Sequence, residues 1–178
     1  VYDIRGKFSA TELLPIIEKY EVTTFCAPPT VYRMLILADL DKFDFRDLRH
    51  CCSAGEPLNP EVIRVWQYGT GQVIYEGYGQ TETVCCIGTF PCMEHKPGSM
   101  GKPVPGWHIE LHDDDGNPVE VGEEGRIAVR LNPRPVGLFV EYLDNPEANQ
   151  ASFQNGFYYT GDKARMDEDG YFWFVGRN

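Results

Sequence analysis

Val73-Ile74-Tyr75-Glu76-Gly77-Tyr78 runs into Gly79-Gln80-Thr81-Glu82-Thr83, and this passage decides how the chain folds. Its first half is β-branched and aromatic, which suits a short buried strand. Its second half is a polar turn leaving the end of that strand. Gly77 and Gly79 let the backbone approach a ligand closely. Gln80 and Thr81 add donors suited to phosphate and carboxylate oxygens. Glu82 adds a hard oxygen of the kind Mg²⁺ takes, which prefers one or two carboxylates beside substrate phosphates. On these residues alone, an ordinary strand-to-loop turn fits as well.

Upstream, helix and strand signals alternate. Ser9-Ala10-Thr11-Glu12 has the capping-box form, and Leu13, Ile16, Ile17 and Tyr20 share one helical face, with Pro15 inside the pattern as a kink or late start. Val22 to Ala27 reads as a buried strand. Pro28-Pro29 ends it, and Thr30 is placed as N-cap of a helix over Val31 to Ala38. Leu48 to Ser53 is a second strand. Asn59-Pro60 opens a helix to about Tyr68, which Gly69 and Gly71 end. Short apolar strands alternating with helices predict parallel pairing.

Downstream of about Gly98 the pattern changes. Trp107 to His112 and Gly125 to Leu131 alternate as half-buried strands, joined through the turn Asp113-Asp114-Asp115-Gly116-Asn117. Asn145-Pro146 opens a short helix. Phe157 to Tyr159 and Tyr171 to Val175 are further strands, the latter after the turn Asp167-Glu168-Asp169-Gly170. The fold class expected is α/β: a parallel-strand α/β lobe over 1–97, then a small, mostly antiparallel β lobe over 98–178. Both acidic turns imitate calcium loops. Pro118 stands where an EF-hand needs glycine, so both are read as hairpin turns. Val1-Tyr2-Asp3-Ile4 reads as the tail of a strand, and both ends of the chain look cut.

The 178 residues are 42% hydrophobic, enough for one sizeable core, and carry a formal net charge of -11. So negative a surface disfavours nucleic acid and anionic membranes. Nucleotides stay possible, since local amides and a metal hold them. No apolar run reaches the length of roughly 18 residues that a transmembrane helix needs. The six cysteines include the adjacent pairs Cys51-Cys52 and Cys85-Cys86 and show no zinc spacing, so buried, reduced thiols are expected.

Gly77-Tyr78-Gly79-Gln80-Thr81-Glu82 resembles the Y-G-x-T-E signature of the adenylate-forming superfamily, which includes acyl-CoA synthetases, luciferases and peptide-synthetase adenylation domains. Other segments follow in that family's order. Phe25-Cys26-Ala27-Pro28-Pro29-Thr30 resembles its aromatic-then-Pro-Thr element. Ser53-Ala54-Gly55-Glu56-Pro57-Leu58 resembles the loop against adenine. Gly122-Glu123-Glu124-Gly125-Arg126-Ile127 resembles G-E-L-x-I, and Tyr159-Thr160-Gly161-Asp162 resembles Y-x-T-G-D. Gly176-Arg177 resembles the start of the G-R-x-D-D hinge motif. The adenine loop, the signature and Arg134-Pro135-Val136-Gly137-Leu138-Phe139 look most like the medium-chain acyl-CoA synthetases.

The resemblance implies a full-length enzyme that joins a carboxylic acid to ATP as acyl-AMP and then to coenzyme A. It implies that Glu76, Gly77, Tyr78, Gly79, Gln80 and Thr81 line the nucleotide, with Gly55, Glu56 and Pro57 on the adenine side. Thr81 meets the α-phosphate and the acyl carboxylate, Glu82 holds Mg²⁺, and Asp162 and Arg177 reach the ribose. Thr81 and Glu82 are thereby the catalytic pair. His50, His95, His108 and His112 match no role, and Trp107, Trp173 and Tyr171 are packing residues. The family's Gly-, Ser- and Thr-rich phosphate loop and its mobile C-terminal domain, with the catalytic lysine and coenzyme A contacts, have no counterpart here. The chain alone is therefore expected to be inactive. The expected compartment is the bacterial cytoplasm, or the mitochondrial matrix in a eukaryote. Alternatives are another adenylating ligase acting on an acetyl, aryl or amino acid, or a non-catalytic domain that keeps the fold. Acetyl-CoA synthetases carry W-W-Q-T-E at the signature, which puts Gly79 where their second Trp closes the acyl pocket. A longer acid, of about four to ten carbons, is then expected from the added space, each methylene contributing about 0.8 kcal/mol.

Overall fold

The computed structural model describes residues 8–177, so the strand tail expected at Val1 to Ile4 lies outside the described residues. The chain divides into two compact units, Val1–Tyr75 and Glu76–Asn178.

The first unit holds α1 (Ala10–Lys19), β1 (Thr24–Cys26), α2 (Pro29–Leu35), a 3-10 turn (Leu40–Lys42), β2 (His50–Ala54), α3 (Pro60–Thr70) and the first two residues of β3 (Ile74–Gln80). β1 and β2 pair in parallel, Thr24 opposite His50 and Cys26 opposite Cys52, as a strand–helix–strand crossover requires. α1 begins after Ser9, whose hydroxyl makes no cap bond to the helix, and it continues through Pro15. Thr30 is not an N-cap: α2 starts at Pro29, two residues before the expected Val31; the fixed φ of Pro29 suits a first helical position, and Thr30 lies within the first turn. α3 follows the sequence closely. Asn59 Oδ1 accepts from the Glu61 amide at 2.8 Å, and Gly71 closes the helix in the left-handed region at φ 74°. Trp66, wholly buried, centres the core, with Tyr32 edge-on at 5.1 Å and Phe25 stacked at 6.1 Å. Leu14, Leu35, Leu48, Ile63 and Ile74 surround them.

The second unit carries the rest of β3, then β4 (Val84–Gly88), β5 (Lys102–Pro103), β6 (Ile109–His112), β7 (Glu124–Arg130), α4 (Pro146–Ser152), β8 (Phe153–Gln154), β9 (Phe157–Met166) and β10 (Phe172–Arg177). One sheet runs β10-β9-β7-β6, with β8 also on β9, and its pairings are antiparallel. Its core packs Cys86, Ile87 and Met100 with Leu111, Ile127, Ala164 and Phe172. β4 and the loop to Met100 bury their apolar side chains in this core.

Two strands differ from expectation. β3 runs on through Gly79 and Gln80, and β4 pairs back on it antiparallel. β9 extends ten residues and carries Thr160-Gly161-Asp162 within the strand. No disulfide links the six cysteines. Cys51 and Cys86 are buried as expected, but Cys26, Cys85 and Cys92 are exposed. Adjacent strand residues point to opposite faces, so only one of each pair reaches a core. Burial pushes the Cys86 thiol up to about 12, which keeps it protonated and inert.

Candidate active site

The turn Thr81-Glu82-Thr83 joins β3 to β4, and local chemistry makes it tight. Thr83, fully buried, accepts from the Gln80 amide through Oγ1 at 2.9 Å, and its hydroxyl donates to Val84 O at 3.0 Å. The Thr83 amide donates to Gln80 O at 3.1 Å. Val84 is held at φ 49°, an unusual conformation for a β-branched residue. The pairing register shifts between Tyr78 and Gly79. Gly79 is thereby pressed onto the opposite strand. A Cβ there would overlap the Val84 carbonyl group and come within 2.9 Å of Cys85 Cα. Its glycine is a backbone requirement, which overturns the expectation that its missing side chain opens acyl space.

Beside this turn, Asp162 is 3% exposed and organises three side chains. Its Oδ2 accepts from the Tyr78 hydroxyl at 2.7 Å and from Gln80 Nε2 at 2.7 Å. Its Oδ1 accepts from Arg177 Nε at 3.2 Å, because Arg177 on β10 is the cross-strand partner of Asp162 on β9. Gln80 Nε2 also donates to Thr160 O at 3.0 Å, and its Oε1 accepts from the Tyr158 hydroxyl at 3.2 Å. The Asp162 amide donates to Thr160 Oγ1 at 3.2 Å. A buried carboxylate with three donors is the form in which burying a charge is tolerable. Burial, reinforced by Asp162, holds the Tyr78 phenol well above its ordinary value, so it remains a donor. Burial likewise raises Tyr158. The Asp162–Arg177 pair leaves the arginine side chain 81% exposed and the aspartate 4%.

Glu82 is half-buried. Its Oε1 accepts from the Tyr142 hydroxyl at 2.9 Å, and its carbonyl accepts from the Phe139 amide at 2.8 Å. Among the described residues no group of three or more His, Cys, Asp or Glu side chains could hold a metal by itself. A single hard carboxylate is nonetheless a donor set that fits Mg²⁺ when substrate phosphates and waters complete its shell. Thr81 is exposed at the tip of the turn. Glu76 is buried, and one of its carboxylate oxygens accepts from the Gly98 amide at 2.8 Å, so it braces the loop before β5.

Gly55, Glu56 and Pro57 belong to the first unit, where they form the exposed loop between β2 and α3. Glu56 is anchored there: Thr30 donates to both its oxygens at 3.2 and 3.0 Å, and Arg33 Nη2 donates at 3.0 Å. The structure therefore brings Tyr78, Gly79, Gln80, Thr81, Glu82, Asp162 and Arg177 together within one unit. Thr30 turns out to bond the Glu56 carboxylate and not to cap a helix. Sequence reading missed Tyr142, Tyr158 and Thr83. No local pattern marks Tyr142, which reaches the turn only through the fold, whereas Tyr158 stands at the tyrosine of Y-x-T-G-D and that pattern could have found it.

His112 is 1% exposed, between Tyr159 OH at 3.0 Å and Glu110 Oε2 at 3.1 Å. Trp107 packs against the second core, and Trp173 Nε1 donates to Asp167 at 3.3 Å. In the two acidic turns Asp113 accepts from the Asn117 amide at 2.8 Å, and Asp167 binds Lys96 at 2.8 Å.

A family profile described as AMP-binding enzyme matches residues 2–142. The mitochondrial acyl-coenzyme A synthetase ACSM3 of Rattus norvegicus is 51% identical over 173 residues, covering 97% of this chain and 30% of that protein. The 4-hydroxybutyrate–CoA ligase 1 of Metallosphaera sedula is 53% identical over the same length, with 97% and 30% covered. The chain thus spans about 30% of the length of the curated relatives it matches. Among solved structures, the anthranilate CoA ligase AuaEII in complex with anthranoyl-AMP superposes with a TM-score of 0.86 at 36% identity, covering 94% of this chain and 32% of that one.

Proposed function

This chain belongs to the AMP-binding enzyme family, and on that premise we propose that the full-length protein is an ATP-dependent, AMP-forming acyl-CoA synthetase. It converts a carboxylic acid to its acyl-adenylate and then to the coenzyme A thioester. The observation that carries this reading is the buried Asp162 carboxylate, held by Tyr78, Gln80 and Arg177 immediately beside the signature turn. An ionised aspartate is acceptor-only with two oxygens, which suits the paired hydroxyls of a ribose. Arg177, mostly solvent-exposed, can yield Oδ1 to one of them and bind the sugar itself. Tyr78, as a persistent donor with an aromatic face, lies against the base, and Gly55, Glu56 and Pro57 of the first unit are the residues that the resemblance assigns to adenine. Thr81 offers its hydroxyl to the α-phosphate and the acyl carboxylate. Glu82 holds Mg²⁺, which supplies charge neutralisation on the phosphates. Each of these residues orients and neutralises and none attacks, so catalysis rests on positioning.

The acid is a medium-chain fatty acid, on the resemblance of the signature and of Arg134 to Phe139 to that group. The match to the Metallosphaera sedula ligase favours a second reading, a short hydroxy acid. Chain length no longer rests on Gly79. The name of the rat relative places that protein in mitochondria, which supports a matrix location if the source is eukaryotic. No described helix is long and apolar enough to cross a membrane. A C-terminal domain beyond this region, carrying the coenzyme A step, fits the span of the relatives. The test is ATP–pyrophosphate exchange by the full-length protein over a panel of linear, hydroxy, aryl and amino acids. Exchange with linear acids of about four to ten carbons is expected, with neighbouring lengths separated by no more than about 10–200-fold. Exchange only with amino acids, or with none, overturns the proposal.

A further inference from the structure

We propose that Tyr142 is a positioning residue for Glu82: its phenol fixes one carboxylate oxygen so that the other faces the metal–nucleotide complex. The proposal rests on the reading of Glu82 as the metal ligand. A glutamate side chain has three rotatable bonds, and an unrestrained one on a turn spreads its carboxylate over many positions. Here the restraint is specific. The Tyr142 hydroxyl donates to Oε1 at 2.9 Å, and Oε2 accepts no hydrogen bond among the described residues. The main chain beneath is held as well, by the Phe139 amide on Glu82 O at 2.8 Å.

Tyr142 is itself held from three sides, more than a chance surface contact needs. Asn149 of α4 grips its backbone at both groups: Asn149 Oδ1 accepts from the Tyr142 amide at 2.7 Å, and Nδ2 donates to Tyr142 O at 2.9 Å. The Phe139 ring meets the phenol ring edge-on with centroids 4.7 Å apart. Arg134 Nη2 ties down the intervening carbonyls of Phe139 and Val140 at 2.5 and 2.9 Å. α4 has its own anchor, since Asn145 Oδ1 accepts from the Ala148 amide at 3.0 Å. Metal-ligating carboxylates are typically held by such outer partners, and losing one typically costs 10–100-fold in metal affinity or activity.

The test uses the full-length protein with Mn²⁺ as a paramagnetic probe, titrated in the presence of ATP and followed by electron paramagnetic resonance. AMP binding in EDTA is measured in parallel by calorimetry. Tyr142→Phe is expected to weaken Mn²⁺ by about tenfold or more while AMP affinity without metal is unchanged. Glu82→Gln should weaken Mn²⁺ at least as much, and the double variant should add little, because both changes break one contact. Asn149→Ala keeps the phenol but frees its backbone. It should show a smaller loss in the same direction, and it decides the question if Tyr142→Phe does not fold. Unchanged Mn²⁺ affinity in the Tyr142 and Asn149 variants, with loss in Glu82→Gln, overturns the positioning role alone. Unchanged affinity in Glu82→Gln overturns the metal assignment and this inference with it. A matching fall in metal-free AMP affinity shows a merely structural tyrosine and also overturns it.

Discussion

Replacing Asp162 separates two consequences of one buried carboxylate. In Asp162→Ala the Tyr78 hydroxyl and the Gln80 amide lose an acceptor that each reaches at 2.7 Å in a part-buried setting. Each bond to a charged group is worth about 1.5–3 kcal/mol, so the loss is about 3–6 kcal/mol of stability. The Arg177 contact adds little, because that side chain is 81% exposed and water replaces its partner. Asp162→Asn keeps the shape and one acceptor oxygen for Tyr78 and Gln80. It should fold far better than the alanine variant, yet it turns an amide toward the ribose. Losing one charged hydrogen bond to the sugar costs about 1.5–3 kcal/mol, or roughly tenfold to a hundredfold in AMP affinity. Thermal denaturation and AMP calorimetry on both full-length variants read the two effects apart. If the alanine variant unfolds no more readily than wild type, the carboxylate is not the hub described. If the asparagine variant binds AMP as tightly as wild type, the ribose assignment is wrong.

Glu82→Gln should lower the rate of pyrophosphate exchange and flatten its Mg²⁺ dependence while AMP still binds; an unchanged Mg²⁺ response counts against the metal role. Gly79→Trp should reduce kcat/KM equally on every acid, because the first side-chain atom already collides with the Val84 carbonyl; a shift of preference toward acetate would restore the pocket reading. Asn59→Ala should cost about 1 kcal/mol of stability by removing the cap on α3, read by denaturant unfolding. The 178-residue chain by itself should form no thioester from ATP, coenzyme A and fatty acids, since its sequence contains no Gly-, Ser- and Thr-rich phosphate loop ending in lysine; turnover of roughly 1 per second or more would refute this.

The sequence by itself determined the elements whose signals are local. Asn59-Pro60 and Gly71 bound α3 because a cap, a fixed φ and a left-handed residue act within a few residues. The runs around His112 and Ile127 became paired strands as expected, but Ile127, Ala128 and Val129 are all buried, so β7 is covered on both faces. The signature turn, Asp162 and Arg177 were legible as candidates because the motifs name them in order. What tertiary structure alone decided are relations across long chain separations. Gly79 reads as empty acyl space in a one-dimensional alignment, but β4 folds back so closely that the space is filled by the Val84 backbone. Arg177 meets Asp162 only through the antiparallel register of β10 on β9. Thr30 looks like a cap until α2 starts two residues early and its hydroxyl turns to Glu56. Tyr142 lies 60 positions from Glu82, and no periodicity links them. They meet because the Phe139 amide bonds the turn and Asn149 of α4 holds the Tyr142 backbone, contacts that have no signature in the order of residues.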